Sequence, residues 1–328
     1  MKKMFLFFAC AFFAGACATQ PQVENPNAEI DRIIDSFWST SAMNPEPERF
    51  AAMAQMQPYM DSCSAFTFYK YVNEQSAEER RRMEEGTVLH FYQAAMDKLV
   101  REIPVTEVEK GTVAIWHLYN MGYVVKTPSH CFAIDLKHPE ADRLVPYLEF
   151  LLITHHHGDH YTDKMNKAMT DAGKPVFSNW DADNCQLTNL TDVRDVDLGD
   201  IKFHTELVDH NKTHIKFVIT YLLDCGADTD NCKFYFVGDA CSVDQLNPSE
   251  PVDIFVPHLA VGLNVKAAGE KFEPRWIFVS HLLELGHQLT KWRWSYFYGL
   301  DEVHEYHREN ACIPVWGEKI VYTPAQYR

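Results

Sequence analysis

The chain has no excess of positive charge. Its 328 residues include 30 lysines and arginines against 46 aspartates and glutamates, a formal net charge of −16. The adjacent arginines Arg80–Arg82 are followed by Glu84 and Glu85, a mixture typical of a solvated helix surface. Since enzymes that act on nucleic acid need a basic path along the phosphates, the composition argues against a nuclease and predicts no nucleic-acid partner. It does not choose among small-molecule substrates.

Long hydrophobic runs are also scarce. The uncharged run from Met4 to Ala16 is too short to span a bilayer comfortably, and no second membrane segment, internal repeat or low-complexity tract is visible. Two lysines precede this run and small residues end it at Cys17, so residues 1–17 are predicted to be a secretory signal. Cys17 resembles the lipidated residue of a bacterial lipoprotein, whereas cleavage after Ala18 would leave a plain secreted protein. We therefore expect an exported protein, periplasmic or anchored to the outer membrane through Cys17.

The mature chain would lose two lysines and no acidic residue, which brings its net charge to −18. Residues 18–28, rich in Thr, Gln, Pro and Asn, are predicted to form a flexible tether. Seven cysteines remain beyond Cys10 and Cys17, an odd number that leaves at least one thiol outside any internal disulfide. Cys225 and Cys232 flank a short turn and are the best disulfide candidates in an exported protein.

A helical extension is predicted over residues 29–108, ahead of the main domain. One helix is expected from Ile30 to Phe37, one from Phe50 to Met60, and one that begins at the capping box of Ser76 and Glu79, continues as an apolar stripe from Val88 to Leu99, and stops at Pro104. We interpret the extension as a cap packed on the outside of the domain. The alternative is that it forms one wall of a substrate pocket, for which the aromatic stretch Phe66–Tyr71 is suited.

Short apolar runs later in the chain predict β-strands. Thr112–Leu118 and Gly122–Lys126 are predicted to pair through a turn that contains Asn and Gly. Cys131–Leu136 is predicted as the next strand, and Trp316–Tyr322 as the closing strand. The aromatic cluster 291–298 is interpreted as core packing, with a cationic contact from Lys291 or Arg293 to an anionic substrate as the alternative.

The most informative motif follows a further apolar run, Phe150 to Ile153. The residues His155, His157, Asp159 and His160 form the pattern H-x-H-x-D-H directly after that predicted buried strand. Imidazole and carboxylate groups are the ligands that zinc prefers. The motif therefore predicts a metal site in one loop at the edge of a sheet.

This pattern resembles the metallo-β-lactamase superfamily of hydrolases. The resemblance covers roughly residues 109–328 and implies an α/β fold, an αββα sandwich of two mixed β-sheets flanked by helices with the metals at one edge. It also implies that His155 and His157 bind one metal, and that Asp159 and His160 bind a second.

The family's remaining ligands have candidates in the expected order. The resemblance implies a lone histidine before a strand, which favours His210 over His214, since His214 directly precedes the run from Ile215. It implies a bridging aspartate in a Gly-Asp pair at the end of a strand, and Asp239 matches.

The last ligand implied is a histidine that ends another strand. His281 is favoured by its order in the chain, with His258 and His287 as competitors that would otherwise line the pocket. Asp135 ends a predicted strand and is expected either to hydrogen-bond a ligand histidine from behind or to cap a turn.

The resemblance implies a binuclear hydrolase. Two divalent ions about 3.5–4 Å apart share a water and lower its pKa toward 7, and Asp159 would both bind metal and orient that water. Zinc is expected, with manganese or iron as alternatives. Aspartate rather than cysteine at the bridging position departs from the commonest zinc β-lactamases and favours a lactonase-like or phosphodiesterase-like branch, close to the ascorbate-phosphate lactonases. We expect cleavage of a small ester, lactone, amide or phosphodiester. The alternative is a metal-binding surface lipoprotein without turnover.

Overall fold

The structure is a computed structural model that describes residues 25–180, 188–190, 194–259, 262–289, 292–305 and 309–327. The predicted signal, most of the predicted tether, Cys185 and Lys291 lie outside these described residues. Within them, none of the helices combines the length and the apolar character that a membrane crossing requires.

Helices are concentrated at the amino-terminal end of the described chain. In order they are α1 (Ala28–Trp38), α2 (Pro47–Ser62), α3 (Ala65–Asn73), α4 (Ala77–Glu84), α5 (Val88–Glu102), α6 (Asp163–Asp171), α7 (Val265–Phe272) and α8 (Tyr296–Glu305). The predicted helix from Ser76 to Pro104 is in fact two helices. Gly86 has a φ of +66°, which ends α4, and Thr87 begins α5 by accepting a hydrogen bond from the Leu89 amide at 3.3 Å.

Within the described residues, the strands form two seven-stranded sheets. In chain order they are β1 (Val113–Tyr119), β2 (Gly122–Lys126), β3 (Cys131–Ile134), β4 (Leu151–Leu152), β5 (Val176–Ser178), β6 (Thr188–Asn189), β7 (Arg194–Asp197), β8 (Lys202–Val208), β9 (Val218–Asp224), β10 (Lys233–Phe236), β11 (Ile254–Val256), β12 (Trp276–Phe278), β13 (Ala311–Cys312) and β14 (Lys319–Tyr322). The first sheet has the order β14-β1-β2-β3-β4-β5-β6, and the second has the order β13-β12-β11-β10-β9-β8-β7. Both sheets mix parallel and antiparallel pairs.

Both faces of the first sheet are covered at β1. Val113 and Ile115 belong to the core between the sheets, whereas Trp116 and Leu118 belong to the core under the helices. This alternation follows from the two-residue period of a strand. The predicted sandwich of two mixed sheets flanked by helices is confirmed.

The amino-terminal helices share the outer core with the first sheet. In α5, Phe91 stacks on Trp316 with ring centroids 5.2 Å apart, and Tyr92 packs on Tyr119 of β1 at 5.0 Å. A buried ion pair between Arg49 of α2 and Glu318 (2.6 Å) ties the helices to the segment that leads into β14.

The predicted disulfide is not present. Cys225 and Cys232 lie opposite each other, with a 2.9 Å hydrogen bond from the Cys225 amide to the Cys232 carbonyl, and both side chains are buried. No bond joins their sulfur atoms. These two side chains, like those of Cys63, Cys131 and Cys312, instead fill space in the core, as small apolar side chains do, whereas Cys241 is partly exposed.

Candidate metal centre

The predicted site residues arrive at one edge of the sandwich because five strands end there. The motif 155–160 follows β4, and His210 follows β8. Asp239, His258 and His281 follow the parallel strands β10, β11 and β12. Parallel strands carry their carboxyl ends to the same edge, where ligands commonly bind.

The first cluster consists of His155, His157, His210 and Asp239, whose ligand atoms all lie within 4.8 Å of one another. His210 Nε2 is 3.2 Å from Asp239 Oδ2, and His155 Nε2 is 3.7 Å from the same oxygen. His214 is exposed and lies outside the cluster, with its ring centroid 5.7 Å from that of His157. The structure therefore brings His210 to the site, as the sequence favoured, and leaves His214 at its margin.

The second cluster consists of Asp159, His160 and His281. His281 Nε2 is 3.0 Å from Asp159 Oδ2, and His160 Nε2 is 3.5 Å from it. Asp239 reaches this cluster with its other oxygen, since His160 Nε2 is 3.2 Å from Asp239 Oδ1. One carboxylate thus faces both clusters, which is the geometry of a bridging ligand.

His258 joins the centre as well as His281. It forms a third potential group with Asp239 and His281, and its Nε2 is 3.6 Å from Asp239 Oδ2. The rings of His258 and His281 stack with centroids 3.6 Å apart. The sequence analysis treated these two histidines as alternatives for one ligand position. Both lie in the centre, because they follow neighbouring parallel strands.

Several of the nitrogen and oxygen atoms that could bind a metal in this centre make no hydrogen bond. His155 Nε2, His160 Nε2 and Asp239 Oδ1 are all buried and make no hydrogen bond, although the two histidine nitrogens lie 3.7 Å and 3.2 Å from the Asp239 carboxylate. Buried polar atoms are normally hydrogen-bonded, so a convergent set of nitrogen and oxygen atoms without hydrogen bonds fits a bound cation.

The pKa shifts of several candidate ligands suit a cation, but not that of His160: burial opposes its charged form, yet the carboxylates of Asp159, Asp239 and Asp135 raise its pKa well above the ordinary value. Burial holds the pKa of His155 and of His258 well below its ordinary value, and lowers that of His157 to about 4, which keeps these imidazoles neutral. Burial opposes ionisation of Asp239, yet the surrounding histidines hold its pKa well below the usual range. Neutral imidazole and ionised carboxylate are the forms that bind metal.

Asp135 supports the second cluster from behind. Its Oδ2 is 2.9 Å from His160 Nδ1 and accepts a 2.7 Å hydrogen bond from the Thr154 hydroxyl. The Thr154 amide donates to Asp135 Oδ1 at 2.8 Å. Of the two predicted roles, the structure therefore places Asp135 against a candidate ligand histidine.

Asn120 is a site residue that sequence reasoning missed. Its side-chain amide donates to Asp159 Oδ2 at 2.9 Å and lies 3.0 Å from His281 Nε2. Asn120 has a φ of +57° in the turn between β1 and β2. The sequence signalled that turn, and asparagine tolerates this left-handed backbone, but nothing local indicated that the turn lies against the motif loop.

Comparison with known proteins identifies the fold. No protein-family model and no curated protein matches the sequence. Among solved structures, the metallo-β-lactamase fold protein YhfI from Bacillus subtilis superposes with a TM-score of 0.51 at 10% identity, covering 65% of this chain and 100% of that one. The metallo-hydrolase Igni18 from the archaeon Ignicoccus hospitalis gives a TM-score of 0.50 at 13% identity, covering 64% and 98%.

The fold is that of the metallo-β-lactamases. In this metallo-β-lactamase fold, a cavity of about 440 Å³ opens over the two clusters. The candidate ligands Asp159, His210, Asp239 and His281 line it, together with Asn211, His287, Trp292 and other residues. Tyr69 of α3 contributes a further wall, so the amino-terminal helices cap the sandwich and also border the cavity.

Arg293 does not face the cavity as a cation for substrate. It is 7% exposed, and its guanidinium donates to the carbonyl oxygens of Met60 (3.1 Å), Cys63 (2.6 Å) and Leu285 (2.5 Å). The alternative role considered for Arg293 is therefore wrong. Its function is to hold the loop after His281 against the end of α2.

Proposed function

We propose that this protein is a metal-dependent hydrolase that holds two divalent cations and cleaves a small ester, lactone, amide or phosphodiester. The observation that carries the proposal is the position of Asp239. Its Oδ2 faces His155 and His210, while its Oδ1 faces His160 (3.2 Å) and His281 (3.8 Å). A carboxylate shared in this way fits a pair of cations better than it fits one.

The residues would divide the work as follows. His155, His157, His210 and Asp239 would hold one cation, and Asp159, His160, Asp239 and His281 the other, with His258 as a further donor within reach. Two such cations would supply a water of lowered pKa as nucleophile and a Lewis acid for the substrate oxygen. Asp159 is suited to orient that water, because Asn120 fixes its Oδ2 by a 2.9 Å hydrogen bond.

Zinc is the cation we propose for the first cluster. Three imidazoles and one carboxylate match the tetrahedral coordination that zinc prefers. The second cluster, with Asp239 and His258 added, offers two carboxylates and three imidazoles, a set that also suits manganese or iron.

The cavity favours a small substrate. Its volume of about 440 Å³ lies within the usual range of small-molecule sites. Lactones and phosphodiesters are the first classes to test and β-lactams the last, because the position of the shared ligand is occupied by Asp239 rather than by cysteine.

Turnover after metal removal and reloading tests the proposal. Chelated protein should be inactive toward all four substrate classes, and reloading with zinc, manganese or iron should restore hydrolysis of at least one class. Replacement of Asp159 by Asn should lower kcat by about 10²–10⁴-fold, the range typical of a residue that directs proton transfer. Stoichiometric metal binding without turnover on any class would favour the non-catalytic metal-binding alternative, and absence of metal binding would reject both.

We also propose that the enzyme works outside the cytoplasm, anchored by a lipid on Cys17. The support is the sequence of residues 1–17 alone, with its two lysines, apolar core and small residues before the cysteine. The mass of the mature amino terminus from membrane fractions would decide between a lipidated Cys17 and a plain cleavage after Ala18.

A further inference from the structure

A carboxylate and a histidine that belong to none of the three candidate metal groups form a pair at the cavity wall. Glu284 and His287 stand in the loop that follows His281, and they form an ion pair between Glu284 Oε2 and His287 Nδ1. The side chain of Glu284 is 1% exposed, whereas that of His287 is 40% exposed and lines the cavity. A fully buried carboxylate is thus paired with a histidine that a substrate in the cavity can contact.

The position of Glu284 is fixed by the protein. Its Oε1 accepts hydrogen bonds from the Tyr119 hydroxyl at 3.0 Å and from the Gly286 amide at 2.8 Å. Tyr119 in turn accepts from the Leu285 amide at 2.7 Å. The loop is packed so closely that a Cβ atom on Gly286 would lie 2.7 Å from Glu284 Oε1 and 2.8 Å from the Tyr69 hydroxyl.

This arrangement raises the pKa of His287. The hydrogen bond that the imidazole donates to Glu284 is the foremost cause of the raised pKa, burial opposes it, and the charges of Glu284, Asp159 and Asp239 add to it. The uncharged Tyr69 and Trp292 border the same cavity. Nδ1 is engaged by Glu284, so Nε2 is the nitrogen that remains for a ligand in the cavity.

We propose that His287, positioned by Glu284, is the acid that protonates the leaving group of the substrate. This inference rests on the proposed hydrolase function and narrows its substrate class. A proton donor is needed only where the leaving atom is strongly basic, as in alkyl esters, lactones and alkyl phosphodiesters. The enzyme is then built for substrates with poor leaving groups.

The step balances as follows. The oxygen of the attacking water forms a bond to the carbonyl carbon or the phosphorus atom, and the bond from that atom to the leaving oxygen breaks. The leaving oxygen keeps the electron pair and takes the proton from His287 Nε2. His287 becomes neutral, retains its Nδ1 proton toward Glu284, and regains a proton from solvent, which had received one from the water.

A pair of matched probes tests the inference. Butyrate esters and phosphate diesters, each with a 4-nitrophenyl and a benzyl leaving group, would be assayed on the zinc-loaded protein. For His287→Gln we expect kcat/KM on the benzyl forms to fall by about 10²-fold or more, with a change of about threefold or less on the 4-nitrophenyl forms, because 4-nitrophenolate needs no proton. Metal content should remain that of the wild type.

The positioning role of Glu284 has its own readout. In Glu284→Gln the alkaline limb of the pH profile for the benzyl forms should move to lower pH, because His287 loses its anionic partner. His130→Gln is the matched control, since His130 Nδ1 pairs with Glu149 Oε2 at 2.8 Å in the same way but far from the cavity. It should leave both rates and the pH profile unchanged.

The outcomes separate the two hypotheses. A wild type that cleaves only 4-nitrophenyl forms, or a His287→Gln variant that affects both leaving groups equally or neither, overturns the assignment of His287 while the hydrolase function stands. A metal-loaded wild type that cleaves none of the probes counts against the hydrolase function itself.

Discussion

Gly238 has a φ of +47°, and a Cβ atom built on it would lie 2.7 Å from both Cβ and Oγ1 of Thr154. Only glycine fits this backbone and this contact. Thr154 is the residue that hydrogen-bonds Asp135, so the approach at Gly238 brings the end of β10 against the end of β4. The Gly-Asp pair, which in isolation is merely typical of a turn, thereby places Asp239 between the two clusters.

Asp135 allows a prediction at the scale of one residue. Replacement by Asn should lower affinity for the second cation by about 10–100-fold, because a carboxylate behind a ligand histidine fixes its orientation and raises its basicity. Asn tolerates the φ of +48° at this position, so the backbone should be unaffected. Metal titration of the purified variant is the measurement.

Asp253→Asn is the matched control for Asp135→Asn. Asp253 is also buried but lies away from the metal centre. It accepts a hydrogen bond of 2.8 Å from the Lys233 amide. The control should lose stability but keep its metal affinity. Equal metal affinity in both variants would contradict the role assigned to Asp135.

His138 gives a pH-dependent prediction. It is fully buried against Tyr92, with ring centroids 4.4 Å apart, and burial lowers its pKa to about 3. The unfolded chain therefore binds a proton that the folded chain does not as pH falls below about 6.5. The contribution to stability is fully present above that pH and is lost as pH falls toward 3.

Urea unfolding of metal-free protein from pH 7 to 4 measures this effect. In His138→Gln the loss of stability with falling pH should be shallower by up to about 1.4 kcal/mol per pH unit, the value for one proton. His117 and the metal-centre histidines contribute to both proteins alike, so they cancel in the comparison. Identical slopes in the two proteins would contradict the prediction.

At the scale of elements, a buried ion pair helps to attach α2 to the sandwich. Both side chains of Arg49 and Glu318 are almost fully buried, and Arg49 also donates to the Ile313 carbonyl at 2.9 Å. Arg49→Met should lower the free energy of unfolding by about 3–5 kcal/mol, since it strands the buried Glu318 charge.

The control for this element is an exposed pair. Lys167 and Asp171 of α6 form an (i, i+4) ion pair with both side chains more than half exposed. Lys167→Met should change the free energy of unfolding by no more than about 0.5 kcal/mol. Denaturant unfolding of both variants decides, and a comparable small effect in Arg49→Met would show that α2 is not anchored through this pair.

The elements that bear the site could be predicted because their signals are local. The apolar runs before His155, Asp239 and His281 each led to a candidate ligand, so β4, β10 and β12 could be placed and ordered from the sequence. The break at Gly86 was missed, since the apolar stripe after it and the capping box before it looked like parts of one helix.

At the scale of the whole molecule, the features that could not be predicted are contacts between distant segments. Tyr69 reaches the cavity wall from a helix more than 80 residues before the motif loop, and the sequence could equally have buried it in the core. Glu284 is held by a hydrogen bond from Tyr119, which lies 165 residues earlier in the chain. The guanidinium of Arg293 is hydrogen-bonded to carbonyl oxygens of the amino-terminal extension. Which side chains meet across such long sequence separations is decided by tertiary packing, and packing produces no periodic pattern that could be recognised in the sequence.

Metal content of the purified mature protein tests the central claim most directly. The wild type and the His130→Gln control should contain about two divalent ions per chain, as a binuclear site requires. Asp239→Ala should contain markedly fewer, because it removes the carboxylate that faces both clusters. A wild type that takes up no zinc, manganese or iron, or an Asp239→Ala variant with undiminished metal, would contradict the binuclear centre.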